Sequence, residues 1–278
     1  MRIDRADGAD GADGADGADG ADKADGADGR PDAAPAPRGP ETGRAWPEAG
    51  DDKSARGDGP PPTNGAARTE QVIAYRGEAH ALYRAYAIDQ GCAEVEKIET
   101  DTTTPAMLRI EAEDPDRRLT GLENRLKGKD RLAEKVESWM TAQPGLTPDD
   151  AFRLAKDAIR YSFVYEKAKY TAGVYADCDR IRSAGFEPAD RQNSWTDDQY
   201  KGINGRWREP GSGQLFEVQF HTQDSYDAKQ VTHPAYERIR DPSTPPGEVG
   251  QLRAYQREVC ATIPIPPGAT EIPDYNHL

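Results

Sequence analysis

The chain has little cysteine, no surplus of basic charge and no long apolar run, and each lack closes off a class of function. Three cysteines in 278 residues, Cys92, Cys178 and Cys260, are odd in number and widely spaced. They form no CxxC pair and no Cys/His cluster, so neither a disulfide framework nor a zinc site is expected, and a reducing compartment fits best. Lys and Arg number 36 against 50 Asp and Glu, a formal net charge of -14. A protein that coats nucleic acid needs the opposite balance, because its affinity comes from cations neutralising phosphates. This argument leaves room for a local basic site. No stretch is apolar enough to span a bilayer, and the amino terminus lacks the apolar core of a secretory signal peptide. The expected setting is cytoplasmic, or a target cell reached by a route without a signal peptide, with no membrane partner.

Glycine and proline are abundant instead, 27 and 22 residues, and many sit at the front. From Ala6 to Gly29 the chain repeats Ala-Asp-Gly, which offers no apolar face and repels itself through its aspartates, so disorder is expected there. A collagen triple helix is disfavoured, since Lys23 stands where the repeat needs Gly and the tract has no proline. Arg30 to Gly65 reads as a Pro/Gly-rich linker. Residues 1–67 are thus expected to be a tether, 68–262 the folded domain, and 263–278 a Pro-rich strap or tail. The domain is expected to be α/β (α+β), a mixed β-sheet flanked by helices.

Within it, Phe216-Glu217-Val218-Gln219-Phe220-His221-Thr222 alternates apolar and polar side chains, the signature of a strand with one apolar and one polar face. A second strand is expected over 158–165, just after Asp157. A fold that joins the two could bring Asp157 and Glu217 to one edge, and such a pair of hard oxygen donors suits Mg²⁺ together with phosphate. The residues alone leave a second reading open, in which Glu217 is an ordinary outward-facing strand residue. Leu122 to Lys129 reads as extended, with Arg125 and Lys127 on one side and Lys129 joining them. That row either grips a polyphosphate, Arg as a planar fork and Lys as a point charge, or is a solvated strand edge.

The remaining elements follow from spacing. Val72, Tyr75, Ala79, Leu82, Tyr83 and Tyr86 mark one core-packing face of a helix starting near Thr69. Met107 to Glu111 is ambiguous between strand and helix. Asp130 is a candidate cap for a helix through Leu132, Val136 and Met140, and Thr147-Pro148 has the form of a helix start. A helix over 171–183 is closed by Gly185. Tyr200 to Arg208 and the strand containing Glu217 are joined as a hairpin by Pro210 to Gly213. Tyr200 at its mouth either stacks on a base or packs. A helix containing His233 is expected to carry Pro234 at or near its start, and another runs from about Glu248 to Ala261.

Four segments, in this order, resemble the synthetase domain of the RelA/SpoT family, which transfers pyrophosphate from ATP to a nucleotide 3′-hydroxyl. They are Arg125-Leu126-Lys127 with the helix after it, Asp157-Ala158-Ile159-Arg160, Tyr200-Lys201-Gly202-Ile203-Asn204, and Glu217 to Thr222. The resemblance implies a nucleotidyltransferase-like fold with Mg²⁺ as cofactor and ATP as donor substrate. It implies Arg125, Lys127 and Lys129 on the ATP phosphates, Asp157 on the metal and Tyr200 stacked on the acceptor base. Glu217 would help the metal or take the proton from the attacking hydroxyl, with Arg160 and His221 as supporting contacts. The chain departs from the family in Asp198-Gln199 ahead of Tyr200, in Asn204, and in an Asp157 two residues nearer its arginine. No HD-type hydrolase motif is present. The arrangement resembles small alarmone synthetases and the toxin branch, which implies a purine nucleotide or a tRNA 3′ end as acceptor and an antitoxin or immunity protein as partner. The reading from another class is a nucleotide-binding or interaction module without turnover.

Overall fold

Thr147 and Pro148 begin a helix as their types require. The Thr147 hydroxyl accepts from the Asp150 amide at 3.2 Å, and Pro148 fills the first turn of α4 (Pro148–Leu154), where a missing N–H costs nothing. Thr147→Ala is expected to lower stability by about 1 kcal/mol, read by urea denaturation; an unchanged midpoint would show that the cap contributes nothing. The computed structural model describes residues 65–277, and the Ala-Asp-Gly tract and nearly all of the linker lie outside the described residues. The unit that contains the sheet and the candidate site comprises the described residues from Glu78 onward.

Helix α1 (Gly65–Ile98) runs through a π-helical turn (Glu99–Thr103) into α2 (Thr104–Ala112). The ambiguous Met107 segment is therefore helical, with Ala106, Met107 and Ile110 buried at helical spacing. The core-packing face expected on α1 is corrected: Tyr75, Leu82, Tyr83 and Tyr86 are all exposed, and the side chain of Val72 lies outside those described. The core face is instead Ile88, Cys92, Val95 and Ile98, further along the helix. Its neighbour α3 (Lys129–Ala142) runs antiparallel, with the Cys92 thiol near the Lys129 carbonyl and Arg84 at Glu137 and Thr141. Leu132 and Val136 bury the inner face of α3, as their spacing predicts.

The sheet has six strands, β1 (Arg117–Thr120), β2 (Arg160–Tyr165), β3 (Glu187–Asn193), β4 (Ile203–Arg208), β5 (Leu215–Thr222) and β6 (Tyr275–Asn276), in the order β1-β2-β5-β4-β3-β6. β2 and β5 are parallel and the other neighbours antiparallel. α5 (Tyr170–Ser183) follows β2 and ends at Gly185, whose φ of 98° takes the left-handed conformation that glycine adopts without a Cβ penalty. Its Val174, Cys178 and Ile181 join Phe163, Phe216, Val218 and Phe220 in the core. The expected β4–β5 hairpin is present.

Helix α6 (Gln223–Arg240) opens with a capping box between Thr222 and Ser225 and carries Pro234 inside it. This corrects the expectation of Pro234 near the start. Proline removes one backbone hydrogen bond, yet the helix continues because Tyr226, Ala228, Thr232 and Ala235 are buried on its inner side. α7 (Pro246–Ala261) packs against α6. The Pro-rich end is a strap. Ile263, Ala269 and Ile272 are buried, and β6 pairs with β3. All three cysteines are free and buried.

Candidate active site

Strand alternation fixes which side chains share the second face of the sheet. Arg160 lies opposite Glu217 in the parallel β2–β5 register, Glu217 opposite Arg206 across to β4, and Arg206 opposite Asp190 on β3. Cations and carboxylates therefore alternate across four strands. Ser162, Gln219 and Asn204 form the next row. This face is polar but not solvated: every residue of β5 is buried, with α6 lying over it. A polar group withdrawn from water needs partners, and here the polar groups supply one another.

Glu217, 2 % exposed, accepts from Arg160 Nε at 3.0 Å and from Gln219 Nε2 at 2.6 Å, both on Oε1. Its Oε2 lies 3.8 Å from Arg206 Nε. Asp157, 4 % exposed, sits in the turn between α4 and β2. Its Oδ1 accepts from Lys135 Nζ at 2.6 Å, its Oδ2 from Lys127 Nζ at 3.1 Å, and Arg160 Nη2 is 3.8 Å away. Burial alone would raise the Asp157 pKa, but Lys135, Lys127 and Arg160 outweigh it and hold the carboxyl well below the usual carboxylate range. Asp157 and Glu217 thus flank one guanidinium, that of Arg160.

Lys127 is aimed by backbone pairing. Its N–H donates to Ala158 O at 3.0 Å and Arg160 N–H to Arg125 O at 2.7 Å, framing a Leu126–Ile159 bridge. Arg125 goes elsewhere. It closes the 3₁₀ turn Leu122–Asn124 in a helical conformation, so strand alternation does not apply to it. Its Nε meets Glu99 of the π-helical turn at 2.6 Å. Lys129 begins α3 and pairs with Asp89 on α1, its side chain 62 % exposed. The expected row of three cations is therefore brought together only at Lys127.

Tyr200 is half-buried, and its hydroxyl donates to Asn204 Oδ1 at 2.8 Å and meets His221 Nε2 at 3.0 Å, ring edge to ring face. His221 Nδ1 is 3.0 Å from Ser225 Oγ at the start of α6. Burial, helped by the Lys229 charge, pushes the His221 pKa well down, so this imidazole is neutral. Gly202 is obligatory beside it: its φ is 154°, and a Cβ there would fall 2.8 Å from the imidazole.

Between α3 and the end of α6 runs a groove of about 780 Å³. Four cations line it, Lys127, Arg131, Lys135 and Arg240, with the carboxylates Glu134, Glu237 and Asp241 and the aromatic rings of Trp139 and Tyr236, and Arg131 pairs with Glu237 at 3.2 Å. Lys135 Nζ lies 5.0 Å from the Trp139 ring centre. The inner end of the groove is the Lys127/Lys135 pair on Asp157. Such a space suits a nucleoside triphosphate: cations for the phosphates, rings for a base. Arg131, Lys135, Trp139, Tyr236 and Arg240 were not singled out from the sequence, although a signal existed. Arg131, Lys135 and Trp139 recur every four residues on the face of α3 next to that of Leu132 and Val136, and Tyr236 and Arg240 repeat the interval on α6.

Among the described residues no cluster of three or more His, Cys, Asp or Glu side chains is placed to hold a metal. Asp157 and Glu217 are joined through the Arg160 guanidinium that both face. Mg²⁺ bound with a nucleotide needs only one or two carboxylates, with phosphate oxygens and water completing its shell. Asp157 at the inner end of the groove fits that demand, since Lys127 and Lys135 are the cations that incoming phosphates would draw off it.

Neither a family model nor a curated protein matches the chain. Among solved structures it is similar to small alarmone synthetase 1 of Bacillus subtilis bound to its product pppGpp, at 14% identity and TM-score 0.39, covering 71% of this chain and 96% of that one. It is similar also to a GTP pyrophosphokinase family protein of Streptococcus pneumoniae, at 13% identity and TM-score 0.38, covering 67% and 88%. A third, small alarmone synthetase 2 of Bacillus subtilis, is 9% identical with TM-score 0.35, covering 70% and 90%.

Proposed function

We propose that this chain is an ATP-dependent pyrophosphokinase, transferring the β,γ-pyrophosphate of ATP to a hydroxyl of a purine nucleotide or a tRNA 3′ end. The observation that carries the reading is Asp157, a buried carboxylate held by Lys127 and Lys135, two of the four cations that line a groove shared with aromatic rings and three carboxylates. In the groove, Lys127, Arg131 and Lys135 bind the triphosphate, and Trp139 and Tyr236 hold the base. Mg²⁺, held by Asp157 with phosphate oxygens, would neutralise and orient the phosphates. Arg160 stands next to Asp157 and is steered by Glu217, so a fixed guanidinium faces the place where charge grows on the transferred group. An acceptor hydroxyl attacks the β-phosphorus, the bond from that phosphorus to the α,β-bridging oxygen breaks, and AMP leaves. Toxicity or delivery as an effector, with a neutralising partner, belongs to the same proposal.

The test is AMP release from labelled ATP with Mg²⁺ in step with a pyrophosphorylated product, across GDP, GTP, ADP, ATP and tRNA. No transfer to any of them overturns the proposal. One observation favours a second reading, a nucleotide-binding module without turnover: Asp157 and Glu217 are already satisfied by protein cations. Tight ATP binding without AMP release would select it. Both readings expect Lys135→Met to weaken ATP binding by about ten- to a hundredfold, the worth of one charge-assisted hydrogen bond. Calorimetric titration checks it, and an unchanged Kd would move ATP out of the groove.

A further inference from the structure

Arg160 is the wall between two spaces. On one side are Asp157, Lys127 and Lys135 at the end of the groove; on the other is a narrow cleft lined by Thr120, Asn124, Ser162, Arg160 and Lys229. The cleft has about 20 Å³ of room, enough for one water or one hydroxyl and far too little for a base. A phosphate chain lying past Arg160 would meet there whatever hydroxyl entered from the cleft.

Two groups near that point could accept a proton, and their surroundings differ. Glu217 has Oε1 committed to Arg160 and Gln219 and Oε2 facing Arg206. Both of its oxygens thus face protein donors, and Glu217 does not line the cleft. Lys229 reaches inward from α6, and its Nζ donates to Gln219 Oε1 at 2.5 Å. An uncharged amine keeps that hydrogen bond and still holds a lone pair towards the cleft.

We propose that Lys229 is the catalytic base: the acceptor hydroxyl seats in the cleft, and its proton passes to Lys229 Nζ as its oxygen bonds to the β-phosphorus and AMP departs. The inference rests on the pyrophosphokinase reading and gives it a named proton acceptor. The electrostatics agree. Withdrawal from water and then the charge of Arg160 push the Lys229 pKa down to about 7, against the opposing pull of Glu217. His221, another titratable group on this face, is neutral, and the Tyr226 ring centre is 5.7 Å from Nζ. A base is most effective when its pKa lies near the working pH. Gln219 joins the two roles, donating to Glu217 with its nitrogen and accepting from Lys229 with its oxygen.

The experiment measures kcat against pH at saturating ATP and acceptor for the wild type and Lys229→Arg, whose guanidinium keeps the positive charge but does not deprotonate. The wild-type kcat should fall as pH drops below about 7. Lys229→Arg should lose about 10²- to 10⁴-fold in kcat with little change in KM for ATP, and should lose that acid limb. In parallel, ¹⁵N NMR of the resting protein reads the Lys229 amine directly, assigned by its disappearance in the variant. Absence of transfer by the wild type to every acceptor sinks the pyrophosphokinase reading and this inference with it. Transfer by the wild type with an amine titrating above about pH 9, or with a Lys229→Arg enzyme within about tenfold of it, sinks the inference alone.

Discussion

Asp157→Asn is expected to stop AMP release and to cost about 3–5 kcal/mol of stability. The substitution keeps the shape of the side chain but leaves Lys135, Lys127 and Arg160 converging on a neutral amide in a buried place. Removing one member of a buried ionic cluster is far costlier than never having built it. The pH dependence follows in sign. Because the folded-state pKa of Asp157 is held below its unfolded value, its stabilisation is present above about pH 4, where the unfolded carboxyl is ionised. It is lost as pH falls through the lowered value. Urea unfolding should therefore show a wide gap between wild type and Asp157→Asn at pH 7 that narrows below pH 4. An equal gap at both pH values would mean that the ion pairs contribute nothing.

Lys229 acts in the same direction, in a higher pH range. Its amine holds a proton up to about pH 10 in the unfolded chain but only to about 7 in the folded one. The unfolded state binds more protons through that window, so this residue's contribution to stability rises with pH between those values. Two buried groups, one on either side of Arg160, thus impose slopes of the same sign in separate pH ranges, each making stability rise with pH. The polar face of the sheet excludes water and sets the protonation states that the proposed chemistry needs.

Much of this was legible in the chain because it is local. The alternation through Phe216 to Thr222 gave β5 and its polar face; the Thr147-Pro148 start and the Gly185 stop gave helix limits. Asp157 and Glu217 were paired by a tertiary guess, and the parallel β2–β5 register places them on either side of Arg160. What could not be read depends on contacts between distant segments. Arg125 looked extended, but a 3₁₀ turn and the remote Glu99 carry it away from Lys127. The tyrosines of α1 looked like a core face because spacing reveals an apolar stripe, not whether another element covers it. Lys229 left no mark in the sequence. A single lysine on a helix acquires its character only when α6 lies down on the polar side of β5.

Glu217→Gln is expected to lower transfer by about 10²- to 10³-fold, the loss typical of one misaimed group that stabilises charge, while the domain stays folded. The reason lies in the ladder across the sheet. Arg160 retains Asp157, and Arg206 retains Asp190, which it meets with bonds of 2.9 and 3.0 Å. Each arginine therefore keeps a carboxylate when Glu217 is neutralised, in contrast to the three cations left facing an amide at position 157. Glutamine also offers an N–H₂ where an oxygen had accepted from two donors, so Arg160 turns towards Asp157 and away from the transferring phosphates. Thermal melts and single-turnover transfer rates measured on one preparation separate the effects. A melt lowered as far as that of Asp157→Asn would show that Glu217 is a structural keystone, and an unaltered rate would show that Arg160 needs no steering. If the rate falls and the melt holds, the pH profile of Glu217→Gln set against that of the wild type distinguishes steering from proton transfer. With Lys229 as the base, Glu217→Gln keeps an acid limb, moved downward because Glu217 no longer favours the charged amine. With Glu217 as the base, the limb disappears.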